Sequence, residues 1–301
     1  MKPQFQHKLI TSFMLWMDNH ILTKGEAFRN ISNHSLISNP DNTLPTQTVF
    51  SSAYKQWIFD SSVPNATVNN YISGLSNSNL DRSDHSDLKI DYNNGRVMFD
   101  STNTSITTST PLQANFSVKD FNIYVTNETE EDLIIESKYS ANNRYSTLTE
   151  SEPIPPYDIV TPAIFISFQD SQNTPFAFGG LDETSTDIRC VVFAENSYQL
   201  DGALSILNDS NKTTIAELDF EDYPLNEYGD LKTGSNSYNT SDADNNPYFN
   251  YTGLAATKNS HFFIEDVVVS KLSDKIKQKN NPNLFIGFVD FEISKHRNPR
   301  L

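Results

Sequence analysis

The chain has 301 residues, with 38 acidic against 22 basic side chains and a formal net charge of −16. That balance excludes binding that works by neutralising phosphates along nucleic acid. Apolar residues make up 37% and aromatic ones 12%, with 20 Phe and 13 Tyr, which excludes a disordered chain and points to an aromatic-rich core with broad polar loops. The length suits one large domain, and the chain is read as a single domain, 1–301.

The first predicted element is an amphipathic helix over 5–24. Leu9/Ile10, Phe13/Met14, Trp16/Met17 and Ile21 recur at three- and four-residue intervals. Gly25 is expected to stop it, with Lys24 in the last turn. Residues 31–45 read as a polar connection. Strand-like runs follow at 48–50 and 54–59, where Trp57 and Phe59 share a face. Segments 88–92 and 96–99 flank Asn93-Asn94-Gly95, and Asn-Gly between alternating segments predicts a hairpin with a type I′ turn.

The stretch 116–139 organises the rest. Phe121, Ile123 and Val125 alternate with Asn122 and Tyr124, as in a strand with one face on a core. Phe116 and Val118 occupy the opposite parity, so a bulge is expected at Lys119-Asp120. Asn127 as N-cap with Glu130 three residues later predicts a helix near 128–141, its first turn crowded with acids.

Residues 142–160 read as an extended loop, because Pro153, Pro155 and Pro156 exclude helix. A buried strand at 163–168 and a central strand at 187–195 precede a helix near 197–208, with Ser197 as cap candidate and Leu200, Ala203, Leu204 and Leu207 on one face. A further strand is expected at 213–220. Segment 221–260 is a polar, Tyr/Asn-rich insertion, and strong strands at 262–270 and 284–293 close the chain. The predicted class is α+β: a mostly antiparallel β-sheet flanked by a few helices, with long protruding loops.

Little in this pattern carries chemistry. The single Cys190 lies in the apolar run IRCVVF and is expected to be a buried, inert thiol of a protein made in a reducing cytoplasm. The six histidines lack metal-ligand spacing. Asp242, Asp244 and Asn246 match the first positions of a calcium loop, but Pro247 stands where glycine is needed and Gly253 where glutamate is needed. No phosphate loop, dinucleotide fingerprint or nucleophile elbow occurs, so the chain is expected to be no enzyme and to hold no cofactor or metal. No apolar run is long enough to span a bilayer, and no membrane partner is expected.

Interfaces are the better prospect. Tyr223, Tyr228, Tyr238, Tyr248, Phe249 and Tyr251 cluster within the insertion, where the rings either form a binding surface or cover the sheet edge of their own subunit. Charge is also segregated: 201–250 holds ten acids and two lysines, whereas 270–301 holds seven basic residues and three acids. Lys275, Lys277 and Lys279 lie in that basic segment, which suits head-to-tail contact with copies or partners, or is simply a solvated turn.

Five phrases, FMLWMDNHILTKGEAFRN, SSAYKQWIFDSSVPNA, LKIDYNNGRVMFD, FSVKDFNIYVTNETEEDLIIESKY and SKLSDK followed by NLFIGFVDFEIS, give the chain a wider likeness. It resembles virion structural proteins of contractile-tailed, T4-like marine phages over nearly its whole length. The resemblance implies a structural part of the neck or tail, assembled in the host cytoplasm, and supplies no functional residues. The coarse order of elements is similar to a tail terminator, which implies a homo-oligomeric ring such as a hexamer at the head–tail junction. Neck, tail-tube or tail-sheath proteins would then be its neighbours, and DNA would pass through the ring without sequence-specific binding. The alternative is a peripheral tail, baseplate or fibre-associated module that contacts host glycans through its aromatic loops.

Overall fold

A computed structural model of the chain describes residues 2, 4–68, 72–73, 79–80, 85–103, 105–136, 139–141, 159–177, 180–232, 239–241, 247–272 and 284–298. Helix α1 (Phe5–Gly25) leads into β1 (Phe28–Ser38) and β2 (Gln47–Ser51). The short β3 (Ile72–Ser73) and β4 (Asn79–Leu80) precede β5 (Lys89–Asp91) and β6 (Arg96–Asp100). Then come β7 (Leu112–Lys119), β8 (Asn122–Val125), a π-helical turn (Asp132–Glu136), β9 (Tyr139–Ala141) and β10 (Ile159–Thr161). A long hairpin of β11 (Ala163–Ala177) and β12 (Leu181–Ala194) is followed by α2 (Ser197–Asn208) and β13 (Thr214–Ala216). A 3-10 turn (Phe220–Asp222), β14 (Asn239–Ser241), β15 (Pro247–Phe249) and α3 (Tyr251–Ala256) lead to β16 (His261–Lys271) and β17 (Phe285–Arg297).

The fold is α+β and mostly antiparallel, as the sequence pattern predicts, but it has two main sheets in place of one. One has seven strands in the order β4-β3-β7-β1-β2-β6-β5, and the other six in the order β13-β16-β17-β12-β11-β8. Every described pairing within them is antiparallel except β8 against β11. One buried cluster runs from Phe50, Val97 and Phe116 in the first sheet to Ile164, Cys190 and Phe291 in the second. Helix α1 contributes Leu9, Phe13, Met17 and Ile21 to it, with the Phe13 ring edge-on to Phe291 at 5.0 Å. Helix α2 lies on the same face of the six-stranded sheet, over β12, β16 and β17, and touches α1.

The expected bulge at Lys119-Asp120 is instead a change of sheet. β7 pairs with β1 and β8 pairs with β11, so the chain crosses from one sheet to the other through Asp120-Phe121. Phe116 and Val118 face the core from the first sheet; Phe121 and Ile123 face it from the second. The parity flip in the sequence records that hand-over. It is fixed by backbone bonds from Asp120 N–H to Ala27 O at 2.7 Å and from Asn122 N–H to Pro162 O at 3.0 Å.

Five further expectations need correction. Residues 31–45 are not all connection, because β1 runs to Ser38; only His34 and Leu36 along it are buried, so its apolar signal is faint. Segment 54–59 is extended but forms no ladder. Its amides bond one by one to Asn93, Tyr92 and Ser117, and a single bridge joins Trp57 to Val118. The β5–β6 connection is a four-residue loop, Tyr92–Gly95, in which Gly95 alone has positive φ, so it is not a type I′ turn. The helix expected near 128–141 is a short turn capped by Thr129, whose hydroxyl accepts from Asp132 N–H while the Asp132 carboxylate accepts from Thr129; β9 already begins at Tyr139. Asn196, not Ser197, caps α2 by accepting from Gln199 N–H at 2.8 Å.

At the end of α1 the left-handed residue is Glu26 (φ 45°), while Gly25 is still helical. Gly25 has another use, since a Cβ there would come within 2.7 Å of the Ile206 side chain of α2. The start of α1 is anchored by charge: Lys8 meets Asp219 at 2.6 Å and Glu217 at 3.9 Å, and Lys295 also bonds Glu217. The Lys8 ammonium holds the Asp219 carboxyl below its ordinary 3.8. Burial pushes Glu217 up from 4.5, but Lys295, Ser260 and Lys8 outweigh it and the net shift is downward. Lowered carboxylate pKa values stabilise the fold above the unfolded values, and that gain is lost as pH falls through the folded ones. The contribution of these two carboxylates to thermal stability is therefore expected to be flat above about pH 5 and to fall below about pH 4. Lys8→Met should flatten that acid slope in a pH series of melting temperatures.

Candidate interaction surface

Alternation along β12 divides its side chains. Ile188, Cys190, Val192 and Ala194 point to the helices, and burial pushes the Cys190 thiol well up, which keeps it inert. Val191 and Phe193 point to the second face, where they join Phe165, Leu284, Ile286 and Leu133 of the π-helical turn. That small cluster covers one end of the face. The other end is open.

Arg189 marks the border. Its Nε and Nη2 donate to the Asp290 carboxylate at 2.5 and 3.0 Å, and Nη1 bonds Glu130 just before the turn. Hydrogen bonds to Asp290 and then Glu130 push its pKa further up, so it is always charged. Beyond it, Gln169, Asp187, Asp266, Val268 and Glu292 line an open groove of about 430 Å³. Four carboxylates against one guanidinium leave this groove acidic. The Arg189 pairs are about one-third exposed and contribute about 0–1 kcal/mol. Arg189→Gln is accordingly expected to leave global stability within about 1 kcal/mol while speeding amide exchange at Leu133, because the turn loses its tie to the sheet.

Beside the groove, the distal half of β11 is exposed, with Phe176 59% accessible and its ring tilted against His296 at 4.3 Å. A second hollow of about 440 Å³ lies between the two sheets and is lined by Lys55, Gln56, Asn93, Asn94, Tyr124 and Tyr223. Gln56 there is left-handed (φ 59°). Burial pushes both Tyr124 and Tyr223 up to about 12, so their hydroxyls stay protonated; that of Tyr124 accepts from Val160 N–H at 3.4 Å.

The predicted interface residues do not form one patch. Phe249 and Tyr251 are buried in the subunit's own core, and Tyr223 and Tyr248 are half-buried. Segment 221–260 is thus no free-standing insertion in its described parts: Gly229 O accepts from Tyr92 N–H, and Asp230 accepts from Ile90 N–H. Tyr228 is exposed, with Lys89 Nζ 6.0 Å from its ring. Tyr238, Lys275, Lys277, Lys279, the candidate cation ligands Asp242, Asp244 and Asn246, and nearly all of loop 142–160 lie outside the described residues. Among the described residues, no group of three or more His, Cys, Asp or Glu is placed to hold a metal ion, and no helix is long and apolar enough to cross a membrane.

Sequence reasoning missed three exposed apolar groups, Tyr198 at 89%, Val268 at 55% and Val269 at 37%. Tyr198 was legible as the residue opposite the Leu200/Leu204/Leu207 stripe. The valines were not, because only topology places their strand near an edge. No protein-family model matches the chain, and none of the curated proteins matches it.

Proposed function

We propose that the chain is a non-enzymatic structural subunit of a tailed-phage virion, assembling as a ring in the neck, in the manner of a tail terminator. The observation that carries this reading is the six-stranded sheet with helices on one face and an open, acidic second face beside the exposed distal half of β11. Such a face offers fixed shape and charge to a neighbour over several strands. The likeness in running text to virion structural proteins of contractile-tailed phages supplies the particle. An acidic wall also suits a DNA path, since it repels phosphate and lets the duplex move without sticking. Neighbouring copies and neck, tail-tube or sheath proteins are the partners, in the virion. Reconstruction of purified particles tests the reading through the position and copy number of this chain. Its absence from purified particles ends it.

A second reading, a peripheral module that contacts glycans, is favoured by the hollow between the sheets. Its Asn93, Asn94 and Gln56 amides and Tyr hydroxyls are the groups that bind neutral sugars. Retention on a glycan array, lost on Asn93→Ala, supports that reading, and a blank array removes it.

A further inference from the structure

The six-stranded sheet has one long side that nothing in the described structure pairs. β13 covers β16 only at His261–Phe263, and from Glu265 to Lys271 no described strand lies beyond it. The opposite exposed margin, β11 past Ser167, carries the devices that keep sheet edges from pairing. It has register shifts at Phe168/Asp170 and Pro175/Ala177, a charge at Asp170 and a proline with no N–H. β16 has no proline and a single shift, at Ile264/Asp266; after it, between Asp266 and Lys271, the strand presents Val267, Val268 and Val269 in regular register.

The phase of the backbone is fixed by Leu272 N–H, which donates to Ile286 O at 3.0 Å. Even-numbered residues from Asp266 to Leu272 therefore turn their backbone groups to β17. Val267, Val269 and Lys271 turn theirs to the open edge. The segment Asp266–Ser270 is DVVVS, and it matches itself when run antiparallel about Val268. Val267 then faces Val269 and Asp266 faces Ser270, each twice. The pairs with outward N–H and C=O groups, Val267 with Val269, are those an antiparallel ladder hydrogen-bonds. Val268 meets its own copy at a non-hydrogen-bonded position.

We propose that a second copy of this chain pairs with β16 in this register, joining two six-stranded sheets into one across a two-fold axis at Val268. The contact is isologous and closes with two copies, so it stands or falls apart from the ring, which needs another surface.

Three measurements on the full chain test it. Light scattering at concentrations up to about 100 μM should give twice the 34.0 kDa chain mass. Val269→Pro, which deletes an outward N–H alone, should raise the dissociation constant at least about 100-fold. Register is read by cysteine: Val268→Cys should give a covalent dimer on oxidation, because facing Cα atoms at such a position lie about 4.5 Å apart. Val269→Cys should not. A wild-type monomer throughout, a dimer indifferent to Val269→Pro, or cross-linking through Val269→Cys in place of Val268→Cys overturns the proposal.

Discussion

Lys119→Met is expected to cost about 3–5 kcal/mol in chemical denaturation at pH 7, the loss that follows when one partner of a buried ion pair is removed. Lys119 and Asp18 are 4% and 5% exposed, and the ammonium reaches both carboxylate oxygens, at 2.7 and 2.8 Å. It also lies 4.6 Å from the Phe59 ring centroid, so its whole environment is built around a charge. Burial pushes the Asp18 carboxyl up, against the pull of Lys119, and Asp60 adds to the push. Without Lys119 the anion has no counter-charge. A raised carboxyl pKa means that its stabilising contribution is complete below the ordinary 3.8 and is lost as pH rises through the folded value. The deficit of the variant should therefore be largest near neutrality and shrink as pH falls and Asp18 takes a proton. Asp18→Asn in the same chain should recover part of it. A cost under about 1 kcal/mol with no pH dependence would show that the pair does not hold α1 to the sheet switch.

Gly95→Ala is the second large effect. Its φ of +62° alone disfavours a side chain, and a Cβ would fall 1.9 Å from Tyr54 O and 2.9 Å from both Ser52 Oγ and Trp57 Nε1. Backbone cannot yield as a side-chain tip does. The left-handed conformation and the overlap together are expected to cost about 2–5 kcal/mol. Gly180→Ala separates the two causes, since it shares a positive φ (+89°) but meets nothing within 4 Å. It should lose only the conformational part, about 1–2 kcal/mol. Equal losses at the two sites, measured by urea denaturation, would remove the steric argument.

Elements with strong periodicity were legible in the chain: α1, the β5–β6 hairpin, β12, α2, β16 and β17 all carry regular apolar spacing. β1 was not, because a strand whose exposed face is Asn, Ser and Arg looks like a loop until its neighbours are known. Segment 54–59 misled in the other direction. Its alternation comes from burial of Trp57 and Phe59, while its hydrogen bonds go to three separate partners and not to one strand. The Tyr-rich region shows the same limit. Composition marks Phe249 and Tyr251 as aromatic surface, but the isolated bridge of Asp60 to Phe249 folds them into the core. The interaction surface itself was hidden for a topological reason. Arg189, Asp266 and Asp290 are far apart in sequence and meet only once β12, β16 and β17 lie side by side.

The hand-over at Asp120-Phe121 bears on how this protein meets a neighbour. Two residues reach no more than about 10 Å, including their flanking bonds, and the crossing is held by the backbone bonds of Asp120 and Asn122 and by the Lys119–Asp18 clamp. The two sheets thus have no linker along which to swing. A subunit that docks through its open face or its β16 edge brings the seven-stranded sheet with it at a fixed angle. No internal hinge has to be frozen on contact, so the association keeps entropy that a two-lobed protein would lose. Geometry is set once, within the monomer, and repeated by every copy.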